Sequence, residues 1–314
     1  MKRKLFVILT LIVVLIISAE AQVVDVAIED HLKEVKVEKV DSLMGWKTGG
    51  VTSLTFSQTA LVNWSAGGEN SIAANALLSL FANYKDSLNT WDNSLDLGYG
   101  FLRQDSYSNG AMKTDDRIDF SSIYGRKAFD KFYYAGLLNF RTQFASGYNY
   151  PNDSVKISDF MAPAYLMVAA GLNYKPNDYF SAFFAPISGK FTFVMDQALS
   201  DEGAFGVDPG SKVKSELGGY LRLAYARNDF EGDFLKNISF ASKLDMFSNY
   251  IDKPQNIDIN WEVLIGMKVN KYITVNLNTM LRYDDDVKIL QNDGSSAAKI
   301  QFKEVFGVGL SYNF

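Results

Sequence analysis

Apolar and polar residues alternate with a period of two along most of the chain. Between Ile257 and Val269, all seven odd-numbered positions are apolar, whereas the even-numbered positions include Asp258 and Glu262. Successive side chains of a β-strand point to opposite faces of its sheet. The pattern therefore predicts strands that have one apolar face and one polar face.

Twelve segments of the chain show this alternation. Several exceed the length of about 5–6 residues that is usual in soluble proteins, and they match the roughly 9–11 residues of a tilted strand that crosses a membrane. The predicted strands are 48–57, 71–84, 90–104, 115–127, 132–144, 163–175, 179–194, 215–227, 237–249, 256–269, 272–283 and 298–314.

The connections between these segments alternate between short and long. The short ones are 85–89, 128–131, 176–178, 228–236 and 270–271, and the long ones are 58–70, 105–114, 145–162, 195–214, 250–255 and 284–297. Short turns on one side, long loops on the other and an even strand number are typical of outer-membrane barrels. We therefore expect an all-β fold, a closed antiparallel transmembrane β-barrel of about 12 strands with up-and-down topology and periplasmic termini. The alternative is a secreted β-sandwich, whose strands also alternate but are shorter.

The start of the chain is typical of a secretory signal peptide. A basic start at Lys2 to Lys4 precedes an apolar run over 5–17, and Ala19 and Ala21 have the spacing of a cleavage site. The alternative, a membrane anchor, requires roughly 20 apolar residues. We expect a signal peptide at 1–21, a periplasmic lead at 22–45 and the barrel at 46–314, in the outer membrane of a Gram-negative bacterium.

Composition supports a chain divided between two environments. It contains 17 Tyr and 23 Phe but 6 Pro, and its mean hydropathy is −0.06. The formal net charge of −5, which becomes more negative once the basic leader is removed, argues against nucleic-acid binding. The absence of Cys excludes disulfides and thiolate metal sites.

If the apolar faces contact lipid, the polar faces line the lumen. The candidate lumen-lining acids are Asp92, Asp96, Asp119, Asp245, Asp258 and Glu262, and the bases are Arg117, Arg141, Arg222, Lys243, Lys268, Arg282 and Lys303. Six acids against seven bases predict no strong selectivity for ions of one sign. The alternative is that these groups pair across the bore and narrow or close it. Twelve strands enclose more space than eight but less than the 16–18 of open porins.

The sequence offers little for catalysis. A Ser–His pair needs a base beside the hydroxyl, but the one histidine, His31, precedes the first predicted strand. A three-His metal site is excluded for the same reason. The acids at 284–286 predict a solvated loop, and 201–212 is a poor nucleotide fingerprint because no Rossmann strand precedes it. We expect no enzyme activity and no catalytic, cofactor-binding or metal residues.

Four stretches carry a resemblance to a known family. They are "GGVTSLTFSQTALVNWSAGGENS" (49–71), "WDNSLDLGYG" (91–100), "APISGKFTF" (185–193) and "GAFGVDPGSKVKSELGGYLR" (203–222). Together they resemble a Bacteroidota family of outer-membrane β-barrels catalogued as a domain of unknown function. The resemblance runs from about Trp46 to Phe314 and implies a barrel without assigned substrate. Its best marker is the first long loop, with Gln58, Asn63, Trp64, Gly67, Gly68 and Asn70.

The last predicted strand ends on Phe314 with aromatic residues on one face, and it resembles the recognition strand that the barrel assembly machinery binds. The expected partners are that machinery, outer-membrane lipid and lipopolysaccharide, and a small solute; no cofactor and no nucleic acid are expected, and no protein partner is identified. The first hypothesis is a passive channel or small-solute transporter. The alternative is a closed structural or partner-binding barrel that acts through its long outer loops, and a third is an enzyme on the rim.

Overall fold

The computed structural model describes residues 44–62, 65, 68–177, 179–227, 229–232, 235–268, 274–290 and 295–313. The predicted signal peptide, nearly all of the predicted lead with His31, and the terminal Phe314 lie outside the described residues. So do Asn63, Trp64 and Gly67 of the first long loop.

Twelve long strands and four short ones occur in the described part of the chain. The long strands are β1 (Gly45–Thr59), β2 (Ser71–Lys85), β3 (Asn89–Gln104), β4 (Met112–Phe129), β5 (Phe132–Thr142), β8 (Ala164–Tyr174), β9 (Phe180–Phe193), β10 (Val213–Arg227), β11 (Ile238–Asn249), β12 (Ile257–Lys268), β13 (Thr274–Tyr283) and β16 (Gln301–Asn313). The short strands are β6 (Gly147–Tyr148), β7 (Lys156–Ser158), β14 (Lys288–Leu290) and β15 (Ser296–Ala298).

The long strands form one antiparallel sheet in the order β1-β16-β13-β12-β11-β10-β9-β8-β5-β4-β3-β2. β1 pairs with β2 along its length and also with β16, where Val51 to Leu54 face Asn313 to Leu310, so the sheet closes as a barrel. The prediction of an all-β, antiparallel, up-and-down sheet is confirmed. The short strands form two hairpins, β6–β7 and β14–β15, inside long loops, and the sequence pattern does not predict them.

On several strands of the barrel, charged side chains are buried and large apolar side chains are exposed. On β12, Trp261 is 45% exposed, whereas its neighbour Glu262 is 5% exposed. On β10, Glu216 and Arg222 are buried, whereas Leu217 between them is exposed. Soluble proteins bury apolar side chains and almost never bury charged ones without a partner. On these strands the polar face therefore points to the inside and the apolar face points outwards. Elsewhere the inside also contains a buried apolar cluster that includes Leu137, Phe183 and Phe247.

A β-bulge interrupts the alternation on β9. Two steps of β10, from Gly218 to Tyr220, face three steps of β9, from Ser188 back to Ala185, so β9 contains one extra residue. Before the bulge the odd-numbered side chains of β9 are buried, and after it the even-numbered ones, Ser188 to Thr192, are buried. A neighbouring glycine allows the close approach that results: a Cβ atom on Gly171 would lie 2.0 Å from the Phe184 carbonyl oxygen.

The two longest loops are joined to each other. Loop 195–212 contains the single α-helix of the described residues, α1 (Gln197–Asp201). Leu199 of this helix packs with Ala162 from loop 145–162. Lys156 of β7 binds Asp159 and also Asp196 at 2.8 Å. The hydrogen bonds to these two carboxylates raise the pKa of Lys156, and the bond from Lys156 is the largest effect that lowers the pKa of Asp196.

No helix in the described part of the chain is long and apolar enough to cross a membrane.

Candidate functional site

The barrel encloses a cavity of about 450 Å³. Its wall is formed by residues from eleven of the twelve long strands and by Phe205 of loop 195–212. A cavity of this size falls in the range that accommodates a small-molecule ligand. The predicted lumen residues that line it are Arg117, Arg141, Asp245, Asp258, Arg282 and Lys303.

The middle of the barrel contains a buried ion pair between adjacent strands. Arg222 of β10 donates its Nε to Asp245 of β11 at 2.7 Å. The Tyr220 hydroxyl donates to the same carboxylate at 2.6 Å, and Arg222 also reaches the Ser121 hydroxyl of β4 at 3.3 Å. These contacts satisfy the buried charges and leave the pair little freedom to move.

A second ion pair spans the bore. Arg117 of β4 lies 3.3 Å from Glu262 of β12, and these two strands stand on opposite sides of the barrel, six places apart in the strand order. Lys243 also approaches Glu262, at 3.9 Å. Lys303 of β16 reaches across to Asp115 of β4 at 2.6 Å. The lumen is therefore crossed by side chains and is narrower than the backbone alone would make it.

Three of the remaining predicted lumen residues have hydrogen-bond or ion-pair partners. Asp96 accepts a hydrogen bond from Ser79, and Asp119 accepts one from Asn139 at 2.6 Å. Asp92 pairs with Lys175 at 3.1 Å near the short turns. The side chain of Lys268 lies outside the described residues.

A cluster of carboxylates and lysines occupies the end of the barrel that carries the long loops. Lys190 of β9 lies 2.6 Å from Asp258, 2.8 Å from Asp284 and 3.7 Å from Glu216. Lys214 contacts Glu216 at 3.6 Å and Asp286 at 2.5 Å. The prediction of a solvated acidic loop at 284–286 is wrong, because Asp284 and Asp286 turn inwards and pair with lysines of the wall.

Loop 195–212 partly covers the same end of the barrel. Phe205 has a φ of +58°, which is uncommon for a residue other than glycine, and its ring lines the cavity. The adjacent Gly206 lies against Asp286, since a Cβ atom on Gly206 would be 2.6 Å from that of Asp286. The loop that the sequence shows only as a poor nucleotide fingerprint is thus part of the cavity wall.

Sequence reasoning missed Lys190, Lys214 and Glu216. Glu216 has the same parity on β10 as Arg222, so the alternation contains the signal that would have found it. Lys190 follows the bulge of β9, where a strict period of two places it on the outer face. The positions of the bulge and of the inward-turning loop are set by tertiary contacts.

The first long loop is described in part. Gln58 belongs to β1, and Gly68 has a φ of +113°. The Asn70 side chain accepts a hydrogen bond from the Leu61 amide at 2.7 Å and donates one to Asp105 at 2.6 Å. Asn70 therefore connects the first and second long loops. Within the described residues, no group of three or more acidic or histidine side chains is placed to hold a metal ion.

A family model described as "Protein of unknown function (DUF3078)" matches residues 56–148. No curated protein matches the chain. Among solved structures, the chain is similar to an outer-membrane channel from Pseudomonas putida F1, at 14% identity over 88% of this chain and 99% of that one, with a TM-score of 0.38. It is also similar to the translocator domain of the autotransporter NalP from Neisseria meningitidis, at 10% identity over 95% of this chain and 100% of that one, with a TM-score of 0.37.

Proposed function

We propose that this protein is a twelve-stranded outer-membrane β-barrel that passes a small polar solute through its lumen. The observation that carries the proposal is the inverted burial of the sheet, with Glu262 inside and Trp261 outside. In hydrocarbon, every backbone N–H and C=O must pair within the protein, and a closed barrel achieves this without a free edge. An apolar outer face then meets lipid, and a polar inner face meets water.

Aromatic residues at the short-turn end support the membrane placement. The Trp46 ring lies 5.4 Å from that of Tyr84 and 5.6 Å from that of Trp91, measured between ring centroids. Trp46 and Trp91 are both exposed. Tryptophan and tyrosine are enriched at both membrane–water interfaces, where one part of the ring system is apolar and another is polar.

The narrowed lumen limits the proposed transport to small solutes. Pairs such as Arg117 with Glu262 cross the bore, and Phe205 covers part of its mouth. The cavity of about 450 Å³ has room for a small molecule and exposes charged groups from several strands. We assign no catalytic role to the chain. We propose that a signal peptide at 1–21 directs its export and that the barrel assembly machinery inserts it through its last strand.

The second candidate is a closed barrel that binds a partner through its long outer loops. The observation that favours it is the same cross-bore pair, together with the joining of loops 145–162 and 195–212 through Lys156 and Asp196. In this function the lumen charges serve only to hold the wall together.

Reconstitution separates the two candidates. Purified protein is inserted into planar bilayers and into vesicles loaded with small solutes of graded size, and conductance and solute efflux are recorded. We expect conductance and efflux of the smallest solutes. A barrel that folds, as shown by heat-modifiable migration on gels, yet neither conducts nor releases any solute would overturn the channel proposal and favour the closed barrel.

A further inference from the structure

Building on the proposed function, we propose that Arg141 and Arg282 form a binding site for a small oxyanion, such as a carboxylate or phosphate group, inside the lumen. The two residues come from β5 and β13, and both line the cavity. If the protein is the proposed channel, this site indicates that its solute is a small oxyanion.

The Arg141 guanidinium has one buried donor that no described residue of the wall satisfies. Its Nε is buried and has no hydrogen-bond partner among the described residues. Asp119 stands directly opposite Arg141 in the β4–β5 ladder, but its carboxylate accepts a hydrogen bond from Asn139 instead. A buried donor without a partner is uncommon in folded proteins, and each instance requires an explanation.

Arg282 supplies a second guanidinium to the same space. Its Nε donates to the Asn260 side-chain oxygen at 3.0 Å, which orients the group, and the residue is exposed to the cavity. Arg141 and Arg282 are near enough to repel each other electrostatically. Tyr165, the partner of Arg141 in the β5–β8 ladder, lies within electrostatic range of both arginines.

The other charged residues around the cavity form ion pairs, unlike these two arginines. Asp115 pairs with Lys303, Asp245 with Arg222, and Arg117 with Glu262. Lys190 holds Asp258 and Asp284. Within the part of the chain that the structure describes, neither Arg141 nor Arg282 forms an ion pair. Glu262 and Asp119 lie within electrostatic range of Arg282, and Asp245 lies within range of Arg141, but each of these carboxylates is engaged by another side chain.

An oxyanion matches this arrangement chemically. Guanidinium groups present parallel N–H donors in a fixed fork that fits carboxylate and phosphate oxygens, and such charge-assisted hydrogen bonds are the strongest that side chains form. A bound oxyanion would satisfy the Arg141 donor and relieve the repulsion between the two arginines. A cation gains neither effect.

Oxyanion binding can be measured in micelles, in an assay that does not depend on transport. Purified barrel in zwitterionic micelles is titrated with inorganic phosphate and, separately, with acetate and with tetramethylammonium, by calorimetry and by ³¹P line broadening for phosphate. We expect saturable binding of phosphate or acetate and none of tetramethylammonium. Arg141→Gln and Arg282→Gln should each weaken oxyanion binding about tenfold or more, because each removes a charged donor pair. Arg126→Gln changes an exposed arginine that does not line the cavity, and it should leave the affinity unchanged.

A conservative variant distinguishes loss of the binding site from loss of folding. Arg141→Lys keeps the charge but removes the fork, so it should bind more weakly than wild type and more tightly than Arg141→Gln. Absence of saturable oxyanion binding, equal binding of tetramethylammonium, or full affinity in a folded variant that carries both Arg141→Gln and Arg282→Gln would overturn the inference. A barrel that conducts but fails this titration retains the proposed function and loses the oxyanion site. One that binds oxyanions but never conducts loses the channel and keeps the site.

Discussion

Arg222 and Asp245 face each other across the β10–β11 ladder, 2.7 Å apart between Nε and a carboxylate oxygen, with 8% of each side chain exposed. A buried ion pair adds little stability compared with an apolar pair of the same shape. Removal of one partner is different, because it leaves a buried charge without its hydrogen-bonded counter-ion.

We therefore expect Arg222→Met and Asp245→Leu to lower the free energy of unfolding by about 3–5 kcal/mol each, and the double variant to recover a large part of that loss. Urea unfolding in lipid vesicles, followed by tryptophan fluorescence, measures the change. The control pair is Arg227 and Asp229, 3.0 Å apart near the short-turn end, where Arg227→Met should cost less than about 1 kcal/mol. Additive effects in the double variant would contradict the pairing.

A substitution at Val168 tests the proposal that the outer face of the barrel contacts lipid. It lies in the middle of β8, is 44% exposed and stands beside Leu138 of β5, which is also exposed. On a surface in water, Val168→Arg would change stability by less than about 0.5 kcal/mol. Facing hydrocarbon near the bilayer midplane, it should cost about 2–4 kcal/mol.

The same urea titration in vesicles measures this difference. Val155→Arg is the control, since Val155 is the same residue type and is also exposed, at 58%, but lies in the loop between β6 and β7. Equal and small effects of the two substitutions would count against a membrane-facing β8.

A substitution at Phe205 tests whether loop 195–212 narrows the opening of the lumen. Its left-handed backbone suits glycine better than phenylalanine, so Phe205→Gly should fold. Loss of the ring from the cavity wall should raise single-channel conductance by about twofold, because pore dimensions control ion flow. Phe160→Gly, at an exposed loop aromatic, should leave conductance as in wild type. A conductance unchanged in Phe205→Gly would show that the loop does not limit the pore.

The hydrogen bonds of Asp86 in the first short turn predict that the stability of the fold depends on pH. Its carboxylate accepts hydrogen bonds from the Asn89 side chain and from the amides of Leu88 and Asn89, and these lower its pKa from 3.8 to about 2. A carboxylate with a depressed pKa stabilises the fold above its unfolded pKa, and the contribution disappears as pH falls through the folded value.

We expect the stability difference between wild type and Asp86→Asn to be constant above about pH 5 and to shrink from about pH 4 to about pH 2. Carboxyl ¹³C shifts of labelled protein report the titration of Asp86 directly. A titration near the ordinary Asp value would show that the hydrogen bonds to the turn do not persist in the membrane.

The strands could be predicted because the two faces of each strand meet different environments. On β12 the period of two identifies both the limits of the strand and the opposite orientations of Trp261 and Glu262, because one face of the strand is exposed and the other is enclosed. This information is local, so it is contained in a dozen consecutive residues.

The partners of the lumen charges could not be predicted, because they depend on closure of the sheet. Arg117 and Glu262 are 145 residues apart in sequence and meet only because β4 and β12 stand opposite each other. Lys190 was missed since the bulge of β9 changes which parity faces inwards, and Asp284 because its loop turns into the mouth. Each of these depends on contacts that no single segment encodes.

The orientation of side chains on β9 depends on chain length as well as on residue identity. Deletion of one residue at 186–187 would remove the bulge and leave Ser188, Lys190 and Thr192 inside. Deletion of Gly189, beyond the bulge, would instead turn Lys190 and Thr192 outwards and bring Phe191 and Phe193 inwards, while every remaining amino acid stayed the same. In evolutionary terms, a single insertion or deletion in this strand converts a stretch of hydrophilic wall into an aromatic one in one step, a change that substitutions would need several events to reach.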